Sequence, residues 1–393
     1  MNILITGGAG FIGYHTANAF IELGHQVHIL DSLHPQIHKN PRESLERLHP
    51  SVEFICGDIR SYDDVRRAVQ GAEVVYHFAA ETGVGQSMYE IHRYVDVNVR
   101  GTAVLLDCLA ENPGRIKKLI LASSRAVYGE GKYRCHDCGD IFISSPRPKA
   151  ELELSKWDFD CPKCRSSIVP QPAKEDSPSH PVSIYGITKR TQEELFNRFC
   201  RTFQIPAVIL RFFNVVGPGQ SMTNPYTGIA TIFYNRMAAG ETVEIYEDGA
   251  MLRDFVHIRD VVQANRRALM FDNGQVVVMN IGSGQVSSVL EMARLLKEEM
   301  GSQSRIDISG RYRLGDIRHS WGDVSFARES LGYEPEFSVK DGLKDLIAWV
   351  RGRVFESKIE HATDELFIKG LTGIAGEKQK MIKPCGKRKS EGN

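Results

Sequence analysis

The sequence predicts a doubly wound α/β fold with a parallel central sheet. Short apolar runs recur through the first 125 residues, rich in valine, isoleucine and leucine and largely without alternation; they span 2–6, 26–30, 52–58, 73–80 and 117–124. Such runs are typical of strands buried on both faces of a sheet. The segments between them, including 11–24 and 92–112, have helical spacing and the length of crossover helices. Strands and helices alternating in this order favour a parallel sheet covered by helices on both faces.

The same pattern continues after residue 125, interrupted by a segment that contains cysteines. A helix is predicted from about Ser183 to Phe203, and the run "PAVILRFFN" predicts the next strand. From Val216 a loop rich in glycine and proline leads into shorter mixed elements, which predict a smaller α/β domain. The predicted organisation is a first domain at 1–129 and 173–215, an insert at 130–172, a second domain at 216–350, and a tail without regular structure at 351–393.

The charge balance and the apolar content limit the classes of partner. Lysine plus arginine equals aspartate plus glutamate, at 49 each, so no overall basic field indicates a nucleic acid or an anionic membrane as partner. No apolar run approaches the ~20 residues that span a bilayer, and Met1–Thr6 lacks the features of a signal peptide. We therefore expect a cytoplasmic protein that acts on a small molecule, and the basic run at its end is not interpreted as a nucleic-acid site.

The motif "TGGAGFIG" at residues 6–13 lies between the first predicted strand and the first predicted helix. Glycines spaced three apart in this context permit a tight turn, bring the backbone close to a pyrophosphate and pack the helix closely on the strand. The amino terminus of the helix also favours the phosphate charge. The motif predicts a Rossmann-type dinucleotide site with contacts from Gly7, Gly10, Phe11, Ile12 and Gly13.

Acidic residues at the ends of the second and third strands predict how the rest of the dinucleotide binds. Asp31 follows Gly13 by 18 residues, where a carboxylate can accept hydrogen bonds from an adenosine ribose. The following "SLH" supplies no arginine for a 2′-phosphate, so NAD is favoured over NADP. Asp58 and Ile59 are predicted near the adenine, although Asp58 is nearly as well suited to cap the next turn. Lys118, at the start of the fifth strand, is interpreted as a solvated flank.

Tyr185 and Lys189 in "YGITK" are four residues apart and share one face of a predicted helix. An ammonium near a phenol favours the phenolate, so we expect a lowered tyrosine pKa and a usable base at neutral pH. A second match, "YGEGK" at 128–132, is disfavoured because its two intervening glycines oppose a helix. Ser124, which ends the fifth strand, could share a proton with Tyr185 and a substrate oxygen, or could only satisfy nearby backbone groups.

Seven motifs follow one another along the chain: "TGGAGFIG", "HFAAETG", "SSRAVYG", "YGITK", "RFFNVVGPGQ", "RDFVHIRD" and "RLGDIRH". In this order they resemble the extended short-chain dehydrogenase/reductase family, specifically its NAD-dependent nucleotide-sugar epimerase and dehydratase branch. The resemblance covers about 1–350 apart from the insert. It implies that Ser124, Tyr185 and Lys189 form the catalytic triad, and that Asn98 in "VDVNVRGT" lies on the cofactor side.

The resemblance also implies a nucleotide-sugar site. Asn214 and Arg253 match positions that bind the diphosphate, and Arg313 of "RLGD" is a further candidate. Arginine suits this role because it can donate two parallel hydrogen bonds to a phosphate. The alternative is that Arg253 and Arg313 are ordinary surface charges. His257 is interpreted as a packed residue and not as a base, and a homodimer is expected.

The residues after Ser124 separate the possible reactions. Dehydratases of this branch carry an aspartate and a glutamate there, whereas this chain carries Arg125 and Ala126. Neither side chain can act as acid or base in removing water, so dehydration is disfavoured, and Ala126 counts against a decarboxylase as well. The simplest reaction left is 4-epimerisation, in which a hydride leaves sugar C4 and returns to the opposite face. A reductase or dehydrogenase of the same branch, or a non-enzymatic binding module, is the alternative.

Two C-x-x-C pairs lie in the insert, formed by Cys135, Cys138, Cys161 and Cys164. Each pair can place both thiolates on one side of a tight turn, and four thiolates suit tetrahedral zinc. A set closed by four cysteines has no open position for water, so the predicted zinc is structural. Redox dithiols are the alternative.

The insert separates two predicted catalytic residues. Sixty residues lie between Ser124 and Tyr185, more than the family usually has. Both roots of the insert therefore flank the catalytic residues, so a zinc-held flap beside the sugar pocket, or a subunit contact next to it, is expected. The motif "SSRAVYGEG" leading into the cysteines also resembles a bacterial subset of these epimerases that includes dTDP-L-rhamnose 4-epimerases. Candidate substrates are thus UDP-glucose, UDP-galactose and a dTDP-6-deoxyhexose such as dTDP-L-rhamnose.

Overall fold

A computed structural model describes residues 1–224, 226, 228–351, 353 and 359–376. The first half of the chain forms β1 (Asn2–Thr6), α1 (Phe11–Glu22), β2 (Gln26–Asp31), α2 (Pro41–Glu46), β3 (Glu53–Cys56), α3 (Tyr62–Val69), β4 (Val74–His77), α4 (Val84–Ser87), α5 (Ile91–Tyr94) with a π-helical continuation (Val95–Arg100), α6 (Gly101–Ala110), β5 (Lys118–Ser124), β6 (Gly131–Cys135), β7 (Gly139–Ile143), α7 (Lys149–Glu153), β8 (Ile168–Gln171) and α8 (Ile184–Phe203). Short 3₁₀ turns precede and follow β5, at Pro113–Arg115 and Arg125–Tyr128.

The second half continues with β9 (Ala207–Phe212), β10 (Asn214–Val216), α9 (Ile229–Ala238), β11 (Val243–Ile245), β12 (Leu252–Arg253), β13 (Phe255–His257), α10 (Ile258–Met270), β14 (Val276–Ile281), β15 (Ser287–Ser288), α11 (Val289–Met300), β16 (Ile306–Ile308), β17 (Arg311–Arg313), β18 (His319–Ser320), α12 (Ser325–Leu331), α13 (Val339–Val350), α14 (Ile359–Ile368) and β19 (Thr372–Ile374). None of the helices in the described ranges combines the length and the apolar character needed to cross a bilayer.

The central sheet has seven strands in the order β14-β9-β5-β4-β1-β2-β3, and every pairing in it is parallel. Alternate side chains of β1 enter opposite cores: Ile3 and Ile5 pack with α1 and α10, whereas Leu4 packs with α3, α6 and α8. Because both faces of the sheet are buried, the sequences of these strands are apolar without alternation. The predicted Rossmann-type doubly wound fold is confirmed, and the strand order reverses at β1, where such folds bind ligands.

The predicted boundary of the second domain is wrong, because the chain returns to the first domain after residue 257. Helix α10 packs on α1, where Asn265 Nδ2 donates to Thr16 Oγ1 at 3.0 Å. Strand β14 then joins the main sheet beside β9. The smaller domain has its own core between α9, α11, α13 and β11. Nothing in the sequence of β14, a six-residue strand at the edge of the sheet, indicates which sheet it joins.

The prediction of a tail without regular structure is also wrong for residues 359–374. They form α14 and β19, and β19 pairs antiparallel with β17. A three-residue strand is stabilised by its partner, which sequence periodicity cannot reveal. The basic run at 377–393 lies outside the described residues.

The insert folds as a three-stranded antiparallel sheet in the order β7-β6-β8, with α7 beside it. Its small core contains apolar side chains and two of the cysteines, namely Tyr133, Cys135, Ile141, Ile143, Cys161 and Ile168. A core of this size is below what usually stabilises an independent unit, which favours an additional cross-link.

Lys118 is buried, which corrects its interpretation as a solvated flank. Its side chain crosses to the end of α10, where Nζ donates to the carbonyl oxygens of Leu269 at 2.7 Å and of Phe271. The residue is only 7% exposed, and burial lowers the pKa of the ammonium. Lys118 therefore satisfies carbonyl groups at a helix end that the helix itself leaves unpaired.

Replacing Lys118 by methionine should lower the free energy of unfolding by about 1–3 kcal/mol, because buried carbonyl groups lose a charged donor. Urea unfolding followed by circular dichroism measures this. The neighbouring Lys117→Met is the matched control: its side chain is 64% exposed and pairs with Glu73, so a change within about 0.5 kcal/mol is expected. Equal losses in the two variants would contradict the assignment.

Candidate active site

A cavity of about 580 Å³ opens at the carboxyl ends of the parallel strands. It is lined by the glycine loop after β1, the ends of β2 and β5, and the start of α8; the predicted residues among its walls are Gly7, Gly10, Phe11, Ile12, Gly13, Asp31, Asp58, Ile59, Ser124, Tyr185, Lys189 and Asn214. Residues far apart in sequence meet here because all parallel strands end at the same edge of the sheet.

The glycine loop leaves no room for side chains. A Cβ on Gly7, whose φ is +69°, would lie 2.7 Å from the backbone nitrogen of Ala79, and one on Gly13 would lie 2.4 Å from the Gly7 carbonyl oxygen. Gly10 caps α1 without a side-chain hydrogen bond, so the first-turn N–H groups face the cavity. These features fit a dinucleotide pyrophosphate at the amino terminus of α1.

Asp31 and Asp58 occupy the far end of the cavity. The Asp31 carboxylate accepts hydrogen bonds from the N–H groups of Ala9 at 3.1 Å and Leu33 at 2.8 Å, which orient it. Asp58 pairs with Arg60 at 2.6 Å, and this arginine lowers the pKa of the carboxyl group. Asp58 also accepts the backbone N–H of Arg60, so it stabilises its own turn while it lines the cavity.

The predicted triad is brought together at the rim. Tyr185 and Ser124 line the same cavity, close enough for Ser124 to influence the pKa of Tyr185, and the Ser124 oxygen accepts the backbone N–H of Ala126 at 3.2 Å. The backbone contact considered for Ser124 is present, and its sharing of a proton with Tyr185 and a substrate oxygen stays a prediction. Lys189 lies one turn along α8, is buried, and donates to the carbonyl oxygen of Ala122 at 2.9 Å.

The expected lowering of the Tyr185 pKa does not occur in this structure. Burial raises the pKa of Tyr185, and the opposing effects of the Ser124 hydrogen bond and the Arg125 charge are smaller. Burial also lowers the pKa of Lys189 to about 7. Desolvation disfavours the charged form of either group, and it outweighs the attraction that the i, i+4 spacing suggested.

Asn98 lies behind the wall of the cavity and not in it. Its Oδ1 accepts the N–H of Glu81 at 2.7 Å, and its Nδ2 donates to the Glu81 carbonyl oxygen and to Thr188 Oγ1. Because these contacts occupy the amide, the predicted direct contact with a cofactor is not supported. Asn98 instead holds the loop after β4 against α8.

A second cavity of about 210 Å³ adjoins the first and shares Arg125 and Asn214 with it. Arg253 and Arg313 line it, and Arg253 is only 5% exposed, so it is not a surface charge. The Arg253 guanidinium donates to the carbonyl oxygens of Ile317 at 2.6 Å and Arg318 at 2.9 Å. Within the described residues, Asn214 Oδ1 and Arg313 Nε are buried without a hydrogen-bond partner.

Arg125 is a site residue that the sequence reasoning missed, since it was considered only as an argument against dehydration. It lines both cavities, and its Nη1 is buried without a hydrogen-bond partner among the described residues. Burial, with a smaller effect from Arg253, lowers the pKa of Arg125 to about 9. Its position directly after Ser124 was the available signal.

The four predicted zinc ligands converge in the insert. The sulfur atoms of Cys135, Cys138, Cys161 and Cys164 all lie within 4.8 Å of one another. A tetrahedron with zinc–sulfur bonds of about 2.3 Å requires sulfur separations of about 3.8 Å. The donor set and its spacing therefore fit zinc.

Comparison with known proteins identifies the family. The model of the NAD dependent epimerase/dehydratase family matches residues 3–147 and 163–282, which is more than half of the chain. The chain belongs to this family. The gap in the match falls within the insert.

Relatives agree with this assignment. The chain is 37% identical to dTDP-L-rhamnose 4-epimerase of Burkholderia thailandensis over 88% of its length and 94% of the relative's. It is similar in structure to UDP-glucose 4-epimerase of Thermotoga maritima, solved with UDP-glucose, with a TM-score of 0.72, 32% identity and coverage of 89% and 99%. It also resembles UDP-glucuronic acid 4-epimerase of Bacillus cereus, solved with UDP-glucuronic acid and NAD, with a TM-score of 0.73, 27% identity and the same coverage.

Arg125→Met should raise KM for the nucleotide-sugar substrate about tenfold, because the substrate loses a charged donor, and should leave the bound NAD content unchanged. Steady-state kinetics and the absorbance of released cofactor measure the two quantities. Arg201→Met, on the exposed end of α8, is the control and should behave as wild type. An unchanged KM in Arg125→Met would contradict the predicted substrate contact.

Proposed function

We propose that this protein is an NAD-dependent 4-epimerase of nucleoside diphosphate hexoses. The observation that carries the proposal is the placement of Tyr185, Lys189 and Ser124 in the wall of the cavity that contains the glycine loop, next to Arg125, which this cavity shares with the one lined by Arg253 and Arg313. A sugar held by its diphosphate in the second cavity would present its ring to this pair. The relatives named above are 4-epimerases of nucleotide sugars.

The side chains divide the reaction between them. The glycine loop and Asp31 would hold NAD, which when bound would supply the acceptor for a hydride from C4 and its return. Tyr185 takes the proton of the sugar 4-hydroxyl and gives it back, while Ser124 holds the same oxygen through a hydrogen bond. Lys189, one turn along α8 from Tyr185, would favour the Tyr185 phenolate whenever its ammonium is protonated, which a pKa of about 7 makes sensitive to pH. The net reaction inverts C4 and consumes no oxidant or reductant.

Two related reactions are less well supported. Ala126, which occupies the second position after Ser124, is buried and carries no ionisable group, so no acid or base there can remove water from the sugar. A reductase or dehydrogenase would consume nicotinamide cofactor in proportion to product. The dTDP-L-rhamnose relative makes a dTDP-6-deoxyhexose the first substrate to test, followed by UDP-glucose and UDP-galactose.

Incubation with dTDP-L-rhamnose, UDP-glucose or UDP-galactose should interconvert one pair of C4 epimers without added cofactor, as followed by chromatography and NMR. Tyr185→Phe should lower kcat by about 10²–10⁴, because the proton acceptor is lost, while NAD and substrate still bind. Accumulation of a 4-keto-6-deoxy sugar, or full activity in Tyr185→Phe, would overturn the proposal.

We also propose that the insert binds one structural zinc ion through Cys135, Cys138, Cys161 and Cys164. The convergence of four sulfur atoms and the small core around them support this, since a closed four-thiolate set gives zinc no open position for water. The zinc would cross-link β6 and β7 to the segment before β8.

Cys135→Ser should reduce the zinc content from about one ion per chain to near zero, as measured by mass spectrometry of the metal. Hydrogen exchange should then increase in the insert, because its core loses the cross-link. Cys56→Ser, an exposed cysteine outside the insert, should keep the metal. A metal-free wild type whose cysteines form reversible disulfides would favour the redox alternative instead.

A homodimer and a cytoplasmic location are further proposals. Helices α5 and α8, with the π-helical continuation of α5, contact one another and expose apolar side chains, namely Ile91, Val95 and Ile187. Such a face suits a two-fold contact between copies, which analytical ultracentrifugation tests. Paired cysteines that hold a metal are consistent with a reducing compartment.

A further inference from the structure

The insert is joined to the smaller domain by a buried ion pair. Arg147, between β7 and α7, donates two hydrogen bonds to the Glu247 carboxylate, at 2.8 and 2.7 Å. Its side chain is only 3% exposed and that of Glu247 only 1%. A bidentate pair of this kind fixes the relative position of the two segments that carry it.

The same arginine reaches the turn that supports the second cavity. Arg147 Nη2 donates to the carbonyl oxygen of Asp316 at 3.0 Å, and the Asp316 carboxylate lies 3.5 Å from Arg253 Nη2. Arg253 in turn donates to the next two carbonyl groups, at residues 317 and 318. The turn at 316–318 therefore contacts both Arg147 of the insert and Arg253 of the second cavity.

Arg318 ties the other side of this turn to the insert. Its backbone N–H donates to Glu130 at 2.8 Å, and its guanidinium donates to Asp158 at 2.8 Å. It also contacts Glu247 at 3.0 Å and Asp248 at 2.7 Å. Both Glu130 and Asp158 belong to the insert, so three insert residues hold one turn of the smaller domain.

The turn also positions Arg313. The Asp316 N–H donates to the Arg313 carbonyl oxygen at 3.3 Å, and Arg313 ends β17, which β19 covers. The backbone beyond β19 touches the insert as well, through the N–H of Gly376 and the carbonyl oxygen of Glu153. Arg253 and Arg313 are therefore both held by a segment that contacts the insert on several sides.

No residue of the insert at 130–172 lines either cavity. The contacts therefore place the insert behind the cavity wall and not as a flap beside the sugar pocket, and the alternative of a subunit contact stays a prediction. Arg147 Nε also lies 3.6 Å from the buried Glu130 carboxylate of the insert. Buried ion pairs of this kind are weak evidence for stability, so their contribution to geometry is what the variants below test.

We infer that Arg147 is a positioning residue. Through it, the insert fixes the turn at 316–318 and so holds Arg253 and Arg313 in place to bind the diphosphate of the substrate. The inference rests on the proposed function, since it assigns a diphosphate to the second cavity. An uncharged residue at 147 would release the turn at 316–318 and displace the Arg253 guanidinium. The diphosphate would then bind less tightly, whereas Tyr185, Ser124 and the glycine loop would keep their positions.

Arg147→Met tests this on the full-length, NAD-loaded protein. Calorimetry with UDP and dTDP should show about tenfold weaker binding than wild type, and KM for the nucleotide sugar should rise by a similar factor with kcat within about twofold. Arg147→Lys should recover part of the affinity, since one donor and the charge remain. Arg134→Met, an exposed arginine of β6 that pairs with Asp140, is the matched control and should bind as wild type.

Truncation of Arg147 leaves the Glu247 carboxylate without its main partner, which can itself impair folding. Glu130 loses a cation 3.6 Å away as well, but burial raises its pKa to about 7, so this group can take up a proton instead. The double variant Arg147→Met/Glu247→Gln removes that charge, and Arg318 keeps Asp158 and Asp248 as partners. It should fold, keep its zinc and show the same loss of affinity. Unchanged nucleotide binding in a folded Arg147 variant, or a fall in kcat alone, overturns the inference; a wild type that binds neither nucleotide overturns the proposed function as well.

Discussion

The close approach of α1 to β1 and β4 is the constraint on which the site depends. It is possible only because positions 7 and 13 carry no side chain, since a Cβ there would lie within 3 Å of backbone atoms. The approach directs the N–H groups of the first turn of α1 into the crevice at the carboxyl edge of the sheet. The parallel arrangement then brings Asp31 and Ser124 to the same edge, on either side of that turn.

The substrate side is built differently, from charged side chains taken out of water. Arg125, Arg253 and Arg313 converge on the smaller cavity, and removing such charges from water is costly unless they are paired. The Asp316 carboxylate, 3.5 Å from Arg253, offsets part of this desolvation cost. Burial is nevertheless strong enough to lower the pKa of Arg125 to about 9. Three chain segments share the task of holding the arginines: the smaller domain, the insert and the strand β19. A guanidinium held in this way would receive the proposed diphosphate without reorganisation.

The sequence predicted the elements of the first domain closely, because buried parallel strands and a glycine loop have local signatures. It did not predict that β14 joins the main sheet or that β19 pairs with β17. Short strands are stabilised by pairing with a strand distant in sequence, and the local sequence does not identify that partner. Lys118 was misread because a charged residue at a strand end is usually solvated, and its carbonyl partners lie about 150 residues away. The direction of the Tyr185 pKa was misread because spacing reports proximity to Lys189 but not the depth of burial.

By itself, the sequence determined the fold class, the glycine loop, the proposed catalytic pair Tyr185 and Lys189, and the cysteine set, because each is encoded by residue types at short, fixed spacings. The tertiary structure alone decided that Asn98 lies behind the cavity, that Arg125 faces into it, and that the insert supports Arg253 through Arg147 and Asp316. These contacts join residues separated by up to 169 positions, through side chains buried on packing. Desolvation and hydrogen-bond geometry, which set their roles, arise only when the chain has folded.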